Sequence, residues 1–396
     1  MKKPRPDLNV MSGSIEGRNA DRTDGQALAD RIQVAQRRSR RSTFGVDIGA
    51  FRLDRRKFAI NAALLGLALH PEPGLAQTPD GAEVVVHRPT ELAWILAGLS
   101  PLDRGGNALN RDTAYWRAAE TWFGAFQDHP AVTALGDDFN LPRLIGNAAN
   151  YTMNAQGDLT RSPGSRAMWD DPAGDLFSRH RDLIASFGLE SRALAFFDAQ
   201  RDTLEESRST LAGAVELADM QSWLEVQFVA RPGAMTVFVS PVTGGWNFTN
   251  LDPETPRLWV PAATRPATPY DRFRIVRAIF TEMDHNYVNP ATARLGPSAF
   301  GFMTEANGWA TPEAWSNYGT AELIINEYMT FSAFLAYAQD RLAGEDLART
   351  ETETRRLMER RGFIRFARFA DAVSGERRRG VNLEALYPAV MAAMRL

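Results

Sequence analysis

Cysteine is missing altogether from the 396 residues. That excludes disulfides, thiolate metal sites and a cysteine nucleophile, although it leaves the compartment open. A strong charge of either sign is missing too: 45 Lys and Arg stand against 48 Asp and Glu, a formal net charge of −3. Such a balance predicts neither nucleic acid nor an anionic membrane surface as partner. There is no Gly-rich phosphate loop, no nucleophile-elbow serine and no haem or iron–sulfur spacing. Beyond residue 77 no apolar run is long enough to span a membrane, and no internal repeat is present. What is there is ordinary globular material, 44% hydrophobic and 23% charged, enough for one large domain or two smaller ones.

Targeting decides which residues have to fold. Arg55-Arg56-Lys57-Phe58 precedes the apolar run Ala59 to Leu69, followed by Pro71, Pro73 and Gly74-Leu75-Ala76. Charged, apolar and small-residue regions in that order read as a signal peptide over 46–76. The paired arginines resemble the twin-arginine type, which exports folded proteins; a short buried helix is the alternative. The expected location is therefore periplasmic or secreted. Residues 1–45 are polar, with a basic cluster at Arg37-Arg38-Ser39-Arg40-Arg41, and are expected to be disordered or to lie upstream of the true start, with Val46 as an alternative initiator. No aromatic residues interleave that cluster, so nucleic acid is not expected there either.

From 77 to 396 the pattern reads as one domain. Glu83–His87 is a β-branched run. Glu91–Leu99 and Thr113–Phe126 have apolar residues at helical spacing, as do segments near Leu141–Tyr151, Asp175–Phe187, Arg192–Leu204 and Leu211–Leu224. Met235–Val239 and Arg257–Val260 read as strands, separated by a Gly244-Gly245 turn and Trp246-Asn247-Phe248. A helix is predicted from Tyr270 to Val288, stopped by Asn289-Pro290. Another runs from Thr320 to Leu342, and three shorter helical stretches complete the chain. The expected fold is α+β and predominantly α-helical, with a small sheet preceding the helix that starts at Tyr270.

The chemistry sits in Thr281-Glu282-Met283-Asp284-His285. In an HExxH motif, histidines one helical turn apart bind zinc together, and the Glu after the first takes a proton from metal-bound water. Glu282 stands at the catalytic base, His285 at the second ligand and Thr281 where the first histidine belongs. Glu327, in Ile324-Ile325-Asn326-Glu327-Tyr328, is the candidate third ligand from a later helix. By spacing alone the signal is weak, and Glu282 and His285 read more readily as a helix-face pair favoured near a helix end.

The wider segment Ile279-Phe280-Thr281-Glu282-Met283-Asp284-His285-Asn286-Tyr287-Val288-Asn289-Pro290 resembles the motif region of the bacterial DUF4932 family. Asp128-His129-Pro130-Ala131-Val132, Asn326-Glu327-Tyr328 and Arg361-Gly362-Phe363 are similar as well. That family resembles gluzincin-type metallopeptidases, which implies a zincin-like domain with the small sheet preceding the active-site-type helix. The resemblance implies zinc held by two histidines and a glutamate, with Glu282 as base and His285 and Glu327 as ligands. Thr281 departs from the pattern.

A neutral hydroxyl is a poor zinc ligand, and one lost ligand removes several of the roughly 10–16 kcal/mol typical of structural zinc. Asp284, about 60° around the helix from Thr281, is the tentative replacement; otherwise it is a solvated helix charge. Glu282 can also turn from base to ligand. Either change suits zinc or another divalent metal held weakly. In gluzincin-like folds an edge strand before the active helix aligns extended peptide; Met235–Val239 or Arg257–Val260 is either that strand or a cover for the core. Tyr287 and Tyr328 are candidate oxyanion donors or packing residues. His87, His129 and His180 read as structural, each a remote candidate for the vacant ligand position. Three functions follow: an exported metallohydrolase acting on peptides, a pseudopeptidase that binds peptide or envelope components without catalysis, or a purely structural envelope protein that needs no polar cluster.

Overall fold

A four-stranded sheet divides the apolar residues into two cores. The computed structural model describes residues 81–100, 108–135, 140–168 and 175–395, all within one compact unit. The signal-type segment at 46–76 and the extension at 1–45 lie outside them.

Strand β1 (Glu83–Val85) leads into helices α1 (Arg88–Leu99), α2 (Ala114–Phe123) and α3 (Leu141–Ala148), then a hairpin of β2 (Tyr151–Met153) and β3 (Leu159–Arg161). Several helices follow, including α4 (Arg201–Ala214) and α5 (Leu217–Gln227). Next come strands β4 (Thr236–Ser240), β5 (Phe248–Thr249) and β6 (Arg257–Pro261). The C-terminal part is helical: α6 (Pro269–Met283), α7 (His285–Leu295), α8 (Ala321–Arg341), α9 (Gly344–Arg360), α10 (Phe366–Arg377) and α11 (Leu383–Met394). The fold is α+β and dominated by helix. Among the described residues no helix is long and apolar enough to cross a membrane.

The sheet order is β1-β4-β6-β5, parallel except for β5, which runs antiparallel to β6 at the edge. Successive strand residues point to opposite faces. Val237, Val239, Leu258 and Val260 therefore enter one core, with α4, α5 and the C-terminal helices. Phe238, Phe248 and Trp259 enter the other, with α1 to α3. On that face the Trp259 ring stacks between Phe238 and Phe248, with centroids 5.3 and 4.8 Å apart. They stack because the register places the three side by side across β4, β6 and β5.

Some expectations are corrected here. The helix predicted to stop at Asn289-Pro290 instead breaks at Asp284 and resumes through Pro290 to Leu295. Proline removes only one donor. At Asp284 one carbonyl accepts both Tyr287 N–H, at 2.8 Å, and Val288 N–H, at 2.7 Å, which tightens the turn. Both candidates for the edge strand are interior, because β4 lies between β1 and β6, and β6 lies between β4 and β5. The edge beside α6 is β5, too short at two residues to show a period. The predicted Arg192–Leu204 helix divides at Gln200. The hairpin of β2 and β3 was not anticipated; its turn is closed by Asn154, whose Oδ1 accepts the Gln156 and Asp158 N–H groups.

Candidate functional site

Helix α6 begins at Thr268, whose hydroxyl accepts the Asp271 N–H, with Pro269 as its first residue. Phe273, Val276, Phe280 and Met283 follow at helical spacing and bury in the core, which fixes the helix rotation. Glu282 then points away from that stripe toward the loop before β5. Asn247 in that loop donates to Glu282 Oε1 at 2.7 Å and to the Ala278 carbonyl at 3.3 Å. Asn286 reaches the same strand, donating to Thr249 Oγ1 at 3.2 Å.

Helix α8 starts at the Thr320 cap and is buried on every side from Ile324 to Ala338. A carboxylate in such a helix has to find charged partners. Glu327 Oε2 accepts from Arg361 Nη2 at 2.7 Å, and Glu327 Oε1 lies 3.7 Å from His285 Nε2. His285 is oriented from its other side, where Nδ1 lies 3.2 Å from Asn289 Oδ1 and 3.5 Å from Thr330 Oγ1. Glu282, His285, Glu327 and Arg361 thus form one cluster, drawn from α6, α7, α8 and the end of α9.

Arg361 is placed by a helix stop. It caps α9; Gly362 N–H donates to the Glu359 carbonyl and Phe363 N–H to that of Met358, at 2.9 and 3.0 Å. Gly362 takes the left-handed conformation this ending needs, φ +86°. The guanidinium also donates to Tyr318 Oη and lies over the Phe331 ring.

Burial pushes the Glu282 carboxyl up to about 7. The neighbouring Glu327 charge adds to the rise, while His285, Arg361 and the Asn247 hydrogen bond oppose it. Burial would lower the Arg361 pKa, but Glu327 and Tyr318 hold it above its ordinary value. Asp284 is fully enclosed, 0% exposed, so it is no solvated helix charge. Burial raises its carboxyl well above the usual range, against the pull of the Thr330 hydroxyl, and neither oxygen has a hydrogen-bond partner of normal geometry.

Thr281 is buried, and its hydroxyl donates to the Arg277 carbonyl at 2.9 Å. The position of the first ligand is thereby closed into the helix. Tyr328 Oη donates to the Trp309 carbonyl and accepts from Arg365 N–H, so it is not available as an oxyanion donor. Tyr287 packs against Phe228 in the core. His129 Nδ1 caps a short helix and its Nε2 faces Glu190, while His87 Nδ1 pairs with Thr90 Oγ1. His180 sits at the joint between the helices Leu176–Arg179 and Arg181–Glu190.

A peptidase zinc takes three protein ligands and a water. Here only His285 Nε2 and Glu327 Oε1 face each other, and Thr281 Oγ1 is engaged elsewhere. Among the described residues, no group of three or more His, Cys, Asp or Glu side chains is arranged to hold a metal. The residues present do not fit the zinc centre that the HExxH resemblance implies. What the cluster offers instead is a carboxyl poised near neutrality, a fixed imidazole and a charge-balanced carboxylate–guanidinium pair.

Asn247, Tyr318 and Thr330 carry no sequence signal for this site, and Asn289 was visible only within the motif segment, without a role. Arg361 was visible only as part of the Arg-Gly-Phe segment, without a role. No family model, curated protein or solved structure matches this chain.

Proposed function

We propose that this chain is an exported, zincin-like relative of the DUF4932 family whose zinc centre has been retired, and that it acts as a peptide-binding module in the cell envelope. The observation that carries the reading is the state of Thr281 and Glu327. One is bonded back to its own helix, the other is neutralised by Arg361. Both side chains are engaged by protein instead of being left open for a metal. Support for the binding role comes from the edge strand β5, tied to the motif helices by Asn247 and Asn286. An extended peptide added to that edge would run beside Glu282 and His285. Export rests on Arg55-Arg56 and the apolar run that follows them.

A second reading, an atypical metallohydrolase, is favoured by the separation of His285 Nε2 and Glu327 Oε1. At 3.7 Å it is near the spacing of two donors on one metal, about 3.3 Å for zinc–ligand bonds of ~2.0–2.1 Å. Metal analysis of the exported protein, equilibrated with zinc and then desalted, separates the two. The binding module retains no stoichiometric metal, whereas Thr281→His raises its zinc affinity markedly by supplying the absent imidazole. Near-stoichiometric metal in the native protein, with hydrolysis abolished by Glu282→Gln, would replace the first reading with the second. Zinc affinity unchanged by Thr281→His would remove the zincin-like placement altogether.

A further inference from the structure

Apart from the Glu282 cluster, a small cavity opens between α3 and the start of β6, bordered by Gly146, Asn150, Arg166, Asp252, Arg257 and Trp259. Its volume is about 30 Å³, room for about two water-sized groups. Two side chains on its border keep donor capacity that no protein acceptor uses. Arg257 gives one guanidinium hydrogen bond, from Nη1 to Asn150 Oδ1 at 2.7 Å. Among the described residues, no carboxylate lies within ion-pair distance of it. The Trp259 side chain is 1% exposed, and its indole Nε1–H is buried without an acceptor. A buried donor left unmatched costs about 1–3 kcal/mol, so the Trp259 indole gains most from an acceptor in the cavity.

The other charged groups on the border are already answered. Arg166 pairs with Glu254 at 3.3 Å. Asp252 accepts from the Glu254 and Thr255 N–H groups and from the Thr255 hydroxyl. That leaves a planar guanidinium, an indole N–H and a near-balanced local charge. A doubly charged phosphate would be poorly compensated and too large. A singly charged, planar acceptor fits both the fork of Arg257 and the space.

We propose that this cavity binds a carboxylate, whose oxygens accept from the free face of Arg257 and from Trp259 Nε1–H. The source is either a small organic acid or the C-terminus of a peptide. The site is independent of the reading given to Glu282 and His285.

The test is an acetate titration of the ¹⁵N-labelled full chain at constant ionic strength, following the indole N–H resonances. The Trp259 resonance is the one lost in Trp259→Phe, among nine tryptophans. A saturable shift of that resonance is expected. Its half-point should weaken at least about tenfold in Arg257→Gln and in Arg257→Lys, which keeps the charge but loses the fork. Far-UV circular dichroism verifies that each variant is folded; should Arg257→Gln not fold, Arg257→Lys decides. An unmoved resonance, an equal response to chloride, or an unchanged half-point in a folded variant overturns the proposal. A dipeptide with a free C-terminus that outcompetes acetate, while its amide does not, assigns the peptide source. Acetate binding without dipeptide binding assigns the small acid.

Discussion

At the scale of single residues, the molecule holds several carboxyls where water cannot solvate them. Glu91 is 1% exposed; burial raises its pKa from 4.5 to about 7, even though Ser240 and the Tyr115 hydroxyl hydrogen-bond to it. Such a group is protonated in the folded chain at pH values where the unfolded chain has already released its proton. Its contribution to stability is therefore complete below about pH 4.5 and is lost as the pH rises through about 7. Glu282 acts in the same direction over the same window. Replacing Glu91 with Gln keeps an acceptor for Tyr115 and removes the ionisation. Urea unfolding at pH 5 and pH 8 should show the variant more stable than the parent by about 1–3 kcal/mol at the higher pH, and nearly level at the lower. An unaltered pH slope would mean that Glu91 does not titrate in this range.

At the scale of secondary-structure elements, Gly362 and Gly98 are each fixed by close approach. Gly362 ends α9 at φ +86°, and a Cβ there would meet Thr311 Oγ1 at 2.3 Å. Gly362→Ala is expected to cost about 2 kcal/mol or more. By moving Arg361 it should also weaken the ion pair to Glu327, seen as a larger loss of stability than in a Gly380→Ala control, where the glycine has φ +80° but nothing within reach. In α1, a Cβ on Gly98 would lie 2.1 Å from the Trp116 ring. Alanine normally strengthens a helix by up to about 1 kcal/mol over glycine. Here overpacking against a rigid indole should reverse the sign, for a net loss of about 1–2 kcal/mol by thermal unfolding. Helix α8 was legible from Thr320 onward because its cap and its long apolar run agree. The break at Asp284 was not legible: nothing in Met283-Asp284-His285 forbids a continuous helix.

On the scale of the whole molecule, the sheet is the shared wall of two cores, so a residue on it affects both. Phe238 stacks on Trp259 and meets the His87 ring edge-on, with centroids 5.3 Å apart in each pair. Phe238→Ala should cost about 3–5 kcal/mol, read as a lowered denaturation midpoint. A loss under about 1 kcal/mol would show that the stack adds little to the join between the cores. The same architecture explains how the candidate site is assembled. Glu282 belongs to a helix docked on β5 and β6, Glu327 to a helix crossing the core, and Arg361 to a helix stop; residues from 247 to 361 meet in one place.

Local sequence by itself determined the composition class, the helical majority, the strands β4 and β6 and the approximate starts of α6 and α8; the interest of Glu282, His285 and Glu327 came from the family resemblance. The former are matters of period, capping and residue chemistry, which act over a few neighbours along the chain. Tertiary structure alone decided that β5 is the edge, that Asp284 is buried, that Thr281 turns its hydroxyl to Arg277, and that Arg361 balances Glu327. Edge position, burial and ion pairing depend on which distant segments pack together. No spacing along the chain records that a guanidinium from the end of α9 will sit where a metal site's third ligand was expected to be free.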